Sequence, residues 1–235
     1  MVDVVGVYNI NWEVTYMNSL LRKRKSNPEL DNKIDKIIEQ IKNKQIPEFY
    51  PNEMISNLHM DRYTLRSDFI KTIGFTLISN DWIKPLSQWI GNRKCLEVMA
   101  GSGSLSFALQ QQGVDIIATD DFSWEGNSNW NDNENYWTDI ENIDAIEAVK
   151  KYGKDIDIII MSWPYMDDTA HKILNTMREV NPNCIMIFIG EGMGGCTADD
   201  EFFEAIQEIE DTEFEQAVSN FKQWWGIHDY PQLVK

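Results

Sequence analysis

The chain has 235 residues, 43% of them apolar, and a formal net charge of −17; that is room for one α/β domain with an extension and an ordinary globular core. No apolar stretch is long enough to cross a membrane, and Met1 to Ile10 lacks the basic start and apolar run of a secretory signal. Residues 1–95 carry 14 Lys and Arg against 11 Asp and Glu, while the remainder carries 7 against 27; the acidic half repels phosphates, which disfavours duplex DNA or RNA as substrate.

In chain order, Val4 to Val7 alternates briefly, with no assigned role. Arg22 to Lys25 is the basic cluster, and because acids follow at once it reads as a solvated helix end or loop. Pro28 opens a helix running to about Lys44, with Ile34, Ile37, Ile38 and Ile41 on one face, and Pro47 and Pro51 break it. Residues 54–92 read as two helices, one starting at Asp61-Arg62-Tyr63 and one capped at Asn80-Asp81-Trp82 and ending at Gly91. The expected division is a helical N-terminal cover over 1–92 and a sheet domain over 93–235. Within the cover Tyr63, Arg66 and Trp82 read as packing or surface residues before they read as pocket walls.

The stretch Lys94 to Asp121 organises the rest. Cys95 to Met99 reads as a buried strand, Ala100-Gly101-Ser102-Gly103-Ser104 as a turn of small residues, and Leu105 to Leu109 as a helix stopped by Gly113. A second strand, Val114 to Ala118, leads to Asp120 and Asp121. Glycines at a strand-to-helix turn let backbone approach a ligand, and an acid at the end of the next strand is placed for vicinal ribose hydroxyls. A dinucleotide fingerprint needs a third glycine, where Ser106 stands; Glu97 lies instead four residues before Gly101. LEVMAGSGSL resembles motif I of the Rossmann-like (class I) S-adenosyl-L-methionine (SAM)-dependent methyltransferases, with Met99 in place of the usual first glycine. The resemblance implies cofactor contacts from Glu97, Met99, Ala100, Gly101, Ser102 and Gly103, with Asp120 and Asp121 at the ribose.

Phe122 to Trp137 is rich in Asn, Asp and Trp, with Gly126, and reads as a loop that either flanks the adenosine or buries its own tryptophans. Asp139 is the expected partner of an adenine amino group. Ala145 to Tyr152 reads as a helix, Asp155 to Met161 as a fully buried strand, His171 to Val180 as a helix capped by Asp167 and Asp168, and Cys184 to Ile189 as another strand. The glycine-rich run 190–195 is either a flap or a turn. Thr197 with Asp200 is the expected cap of a helix over 199–210, and Phe214 to Val218 with Gln232 to Val234 the last antiparallel pair of strands. Cys95, Cys184 and Cys196 are odd in number and lack metal spacing, so they read as reduced core residues of an intracellular protein; with His59, His171 and His228 scattered, no metal is expected. His228-Asp229-Tyr230 reads either as a surface histidine in the terminal hairpin or as a general base.

Ser162-Trp163-Pro164-Tyr165 ends the buried strand, where residues face the ligand crevice. It resembles motif IV of amino-group methyltransferases, with Trp163 at the first proline position. That resemblance implies that Ser162 accepts from the nucleophile, that Trp163 orients it and borders the cofactor, and that Tyr165 walls the site. These resemblances imply a seven-stranded Rossmann-like methyltransferase sheet, here with a helical N-terminal extension, and SAM as cofactor; we expect a cytoplasmic enzyme with a small molecule or protein side chain as methyl acceptor. Two alternatives stay open: amino-group methylation of nucleic acid, and a SAM-binding regulator that transfers nothing.

Overall fold

Alternation along the central strands splits the interior into two apolar layers. The computed structural model describes residues 27–55, 60–124 and 136–235, apart from the side chains of 60–64. Val4 to Val7, Arg22 to Lys25, Gly126 and the Tyr63 side chain therefore lie outside the described residues. Strands β1 (Cys95–Val98), β2 (Ile116–Asp120), β3 (Glu141–Asn142), β4 (Ile158–Ser162), β5 (Ile185–Gly190) and β6 (Tyr230–Val234) form a sheet in the order β3-β2-β1-β4-β5-β6. The first five run parallel and β6 pairs antiparallel with β5. Ile158 and Ile160 of β4 and Ile187 and Ile189 of β5 point to one face, while Ile159, Met161, Met186 and Phe188 point to the other. Burial on both faces is what a parallel sheet requires, and it explains the unbroken apolar runs.

One face is covered by α1 (Pro28–Lys42), α2 (Asn52–Ile55), α3 (Met60–Ile73), α4 (Asn80–Ile90) and α5 (Ser104–Gln110). Asn27 caps α1 by accepting from the Leu30 amide, and Leu30, Ile34, Ile37 and Ile41 are buried, at the spacing of one helical face. The helices of 28–90 share one apolar cluster with β1, β4 and β5, so they are part of the core of the sheet. The other face is covered by α6 (Ala145–Tyr152), α7 (Thr169–Val180) and α8 (Asp200–Ala205). Asp167 accepts from the Thr169 amide at the start of α7, and Asp168 pairs with Lys172.

The C-terminal part differs from expectation. Phe214 to Val218 is not a strand: α9 (Thr212–Ala217) occupies it. Asp211 caps α9 by accepting from the Phe214 amide, and Phe214 and Ala217 are buried on the side facing α4. The sheet therefore has six strands among the described residues, and β6 has no hairpin partner there. Its outer edge is met instead at Gln207 to Ile209, where Glu208 forms an isolated antiparallel bridge with Val234. Those bonds to β6 also end α8 at Ala205, well short of residue 210. Its cap is Asp199, which accepts from Phe202, whereas the Thr197 hydroxyl is buried and donates to the Glu191 carbonyl.

Candidate functional site

The order of the sheet reverses direction between β1 and β4, and a crevice opens outside the carboxyl ends of the strands at such a switch point. A cleft of about 860 Å³, counted out to its open mouth, lies there. Its walls come from the end of β1 and the following turn, the end of β2, the end of β4, and the 70–78 segment that joins α3 to α4.

The β1–α5 turn is held from three sides. Ala100 donates to the Thr119 carbonyl, and the hydroxyls of Ser102 and Ser104 both donate to the Ile73 carbonyl at the end of α3. The Trp137 amide donates to the Ser102 carbonyl, and its indole donates to the Thr72 carbonyl. The two glycines differ in what they answer to. Gly101 sits at φ +57, and a Cβ there would meet nothing, so it is open to the cleft. Gly103 sits at φ +72 and packs against Ile140 and Thr138, where a Cβ would come within 3.0 Å. It shapes the turn from behind and does not line the cleft. Met99 adopts φ +56, the left-handed region that costs an L residue about 1–2 kcal/mol.

Three carboxylates face the cleft: Glu97, Asp120 and Asp121. Glu97 is 2% exposed, and burial pushes its carboxyl up to about 7 against hydrogen bonds from the Ser106 amide and hydroxyl. Asp120 is also raised by burial. It accepts from the amides of Gly101 and Phe122, both at 2.7 Å, and from the Trp124 indole at 2.9 Å. Asp121 is exposed and accepts from the Ser123 amide. No Lys, Arg or His lines the cleft among the described residues.

At the β4 end, the hydroxyls of Ser162 and Thr76 lie 2.9 Å apart. Trp163 has φ +53 and stacks on Phe75 with ring centroids 4.7 Å apart. Its amide donates to the Ile189 carbonyl and its indole to Asp229. A proline, locked near φ −65°, does not reach this backbone, so the Trp at the first proline position of the motif goes with a different local geometry. Tyr165 is half-buried, its phenol raised by burial and hydrogen-bonded to Ser123.

Glu97, Met99, Ala100, Gly101, Ser102, Asp120, Asp121, Ser162, Trp163 and Tyr165 thus come together in one cleft. Asp139 does not join them; it is exposed and away from the walls. Trp82 is fully buried and donates to the Leu77 carbonyl, and His171 and Arg66 do not line the cleft. Cys95 and Cys184 are buried, their thiols pushed up to about 12 by burial, whereas Cys196 is exposed. The residues the sequence did not single out are Phe75, Thr76 and their neighbours in the 70–78 segment, with Trp124. The available signal was Gly74-Phe75-Thr76, a break between helices, where Gly74 takes φ +107.

No family model matches the chain, and no curated protein matches it. Among solved structures it is similar to TehB from Haemophilus influenzae, with 16% identity, TM-score 0.42, and coverage of 72% of this chain and 66% of that one, just under two thirds of its length. It is similar to a SAM-dependent methyltransferase from Archaeoglobus fulgidus, with 13% identity, TM-score 0.41, and coverage of 74% and 99%. A third similar structure is a SAM-dependent methyltransferase from Bacteroides fragilis in complex with S-adenosyl-L-homocysteine, with 12% identity, TM-score 0.35, and coverage of 65% and 76%.

Proposed function

We propose that the cleft binds SAM and that the protein is a SAM-dependent methyltransferase acting on a small molecule or a protein side chain. The observation that carries this reading is the charge of the cleft: three carboxylates and, among the described residues, no basic side chain. Such a cleft favours a cation over an anion. SAM, with a sulfonium and an ammonium against one carboxylate, suits it better than a dinucleotide, whose two phosphates would rest on backbone amides and the helix N-terminus alone.

The residues fit the cofactor piece by piece. Asp120 offers the ribose hydroxyls a rigid acceptor, and of its three present donors the Trp124 indole is the one on a side chain and free to be replaced by a hydroxyl. Glu97 and the open backbone at Gly101 serve the amino-acid end. When bound, SAM supplies a methyl group already activated by the sulfonium. The protein then has to align the nucleophile in line, keep water out, and give its hydrogen a partner. Ser162, oriented by the Thr76 hydroxyl, accepts a hydrogen bond from the nucleophile, and Tyr165 forms one wall.

Incubation with methyl-labelled SAM, followed by separation of small molecules, protein and nucleic acid from a cell extract, tests the activity. Label in the small-molecule or protein fraction is expected. Label in DNA or RNA that falls steeply with salt would move the acceptor to nucleic acid. Tight SAM binding with no label anywhere would favour the regulator, a reading supported by Trp163 standing, with a left-handed backbone, at the first proline position of the motif.

A further inference from the structure

Asp229 is an acid that the cleft itself does not use, and it is placed at a cost. It precedes β6, is 2% exposed, and accepts from the Trp163 indole through Oδ2 at 2.9 Å. Its Oδ1 is buried with no hydrogen-bond partner. Arg66 of α3 acts on it from one side and Glu191, after β5, from another, with His228 beside it in the chain. Arg66 forms no ion pair with it, and the Arg66 Nε is itself buried without a partner. Glu191 is bound elsewhere, by the amides of Cys196 and His228. The one side-chain group that Asp229 holds is therefore the indole of Trp163.

Trp163 is the residue for which such an anchor matters. It lines the cleft, carries a left-handed backbone, and lies flat on Phe75. A carboxylate on the indole N–H fixes the ring and adds negative charge to a π system whose face attracts cations. Strain and an underpaired buried acid in one place, at the edge of a cleft, mark a functional constraint. We propose that Asp229 is a positioning residue of the SAM site: its carboxylate anchors Trp163 as the aromatic wall that distinguishes a sulfonium from a neutral thioether. This rests on the SAM reading above, and it assigns the protein a preference for SAM over its product, S-adenosylhomocysteine, in the binding step.

The test is calorimetric titration of the wild type, Asp229→Asn and Asp229→Leu with SAM and with S-adenosylhomocysteine. The Asn variant keeps an acceptor and loses the charge; the Leu variant loses both. The affinity for SAM relative to S-adenosylhomocysteine should fall about threefold in the first and about tenfold in the second, with S-adenosylhomocysteine binding nearly unchanged. A merely structural Asp229 would weaken both ligands together. Burial pushes the Asp229 carboxyl up to about 6, so the same ratio should fall more steeply in the wild type than in Asp229→Asn as pH drops through that value. Glu97 lines the same cleft and burial raises its carboxyl to about 7, so its titration also acts on the sulfonium; that contribution is common to wild type and Asp229→Asn, and the difference between their pH profiles isolates Asp229. The comparison of wild type with Asp229→Asn keeps the test intact if the Leu variant does not fold. A ratio unchanged by either substitution, with the same pH profile in wild type and Asp229→Asn, overturns the proposal while leaving the SAM site intact. Failure of the wild type to bind either ligand overturns both.

Discussion

At Glu97 the fold keeps an acid where a charge is least welcome. Its pKa in the folded state is raised from 4.5 to about 7 by burial. The stability linked to this group is therefore fully present below about pH 4.5 and lost as pH rises through about 7. Glu97→Gln removes the titration, so its stability relative to the wild type should improve by roughly 3 kcal/mol between about pH 4 and about pH 8. Urea melts at both pH values measure this, and parallel pH profiles would contradict it. The cost makes sense if a cationic ligand completes the pairing. Glu97, Gly101 and Asp120 were legible because a strand, a tight turn and a second strand bring them together within a short stretch of chain. Asp229 stands 66 residues after Trp163, and only β6 lying beside β5 brings the two together. Asp139 shows the reverse: nearness in sequence to the end of β2 did not put it on the cleft wall.

Elements with strong periodicity were legible, and short ones were not. The face of α1 from Leu30 to Ile41 and the apolar runs of β4 and β5 each follow one period over many residues. Phe214 to Val218 has too few residues to separate two periods. Phe214, Gln216 and Val218 alternate as in a strand, yet Phe214, Ala217 and Val218 also share a helical face. The helical choice is decided by Asp211, whose carboxylate caps the first turn and also accepts from the Trp89 indole of α4. Asp211→Ala should cost about 1 kcal/mol of stability, toward 2 with the lost indole bond. Chemical denaturation checks this; a loss near zero would mean that packing of Phe214 on Trp89 holds α9 without its cap.

Across the whole molecule, the N-terminal helices do two things at once. They cover one face of the sheet in a shared core, and the end of α3 supplies the Ile73 carbonyl that receives both serine hydroxyls of the β1–α5 turn. The 70–78 segment then lines the cleft beside the end of β4, with Thr76 against Ser162 and Phe75 against Trp163. The α/β class and the parallel sheet followed from unbroken apolar runs and turn chemistry. The part played by 70–78 was not legible, because its residues reach the cleft through packing between distant elements and carry no motif. The acidic charge, by contrast, is a property of composition, and the three carboxylates in the cleft are its local form.

Whether this acidic cleft holds SAM, as proposed, is read by isothermal calorimetry of the wild-type protein with SAM, S-adenosylhomocysteine and NAD. Dissociation constants in the micromolar range are expected for the first two, and no heat of binding for NAD. No binding of SAM, or NAD binding as well as SAM, would contradict the proposal.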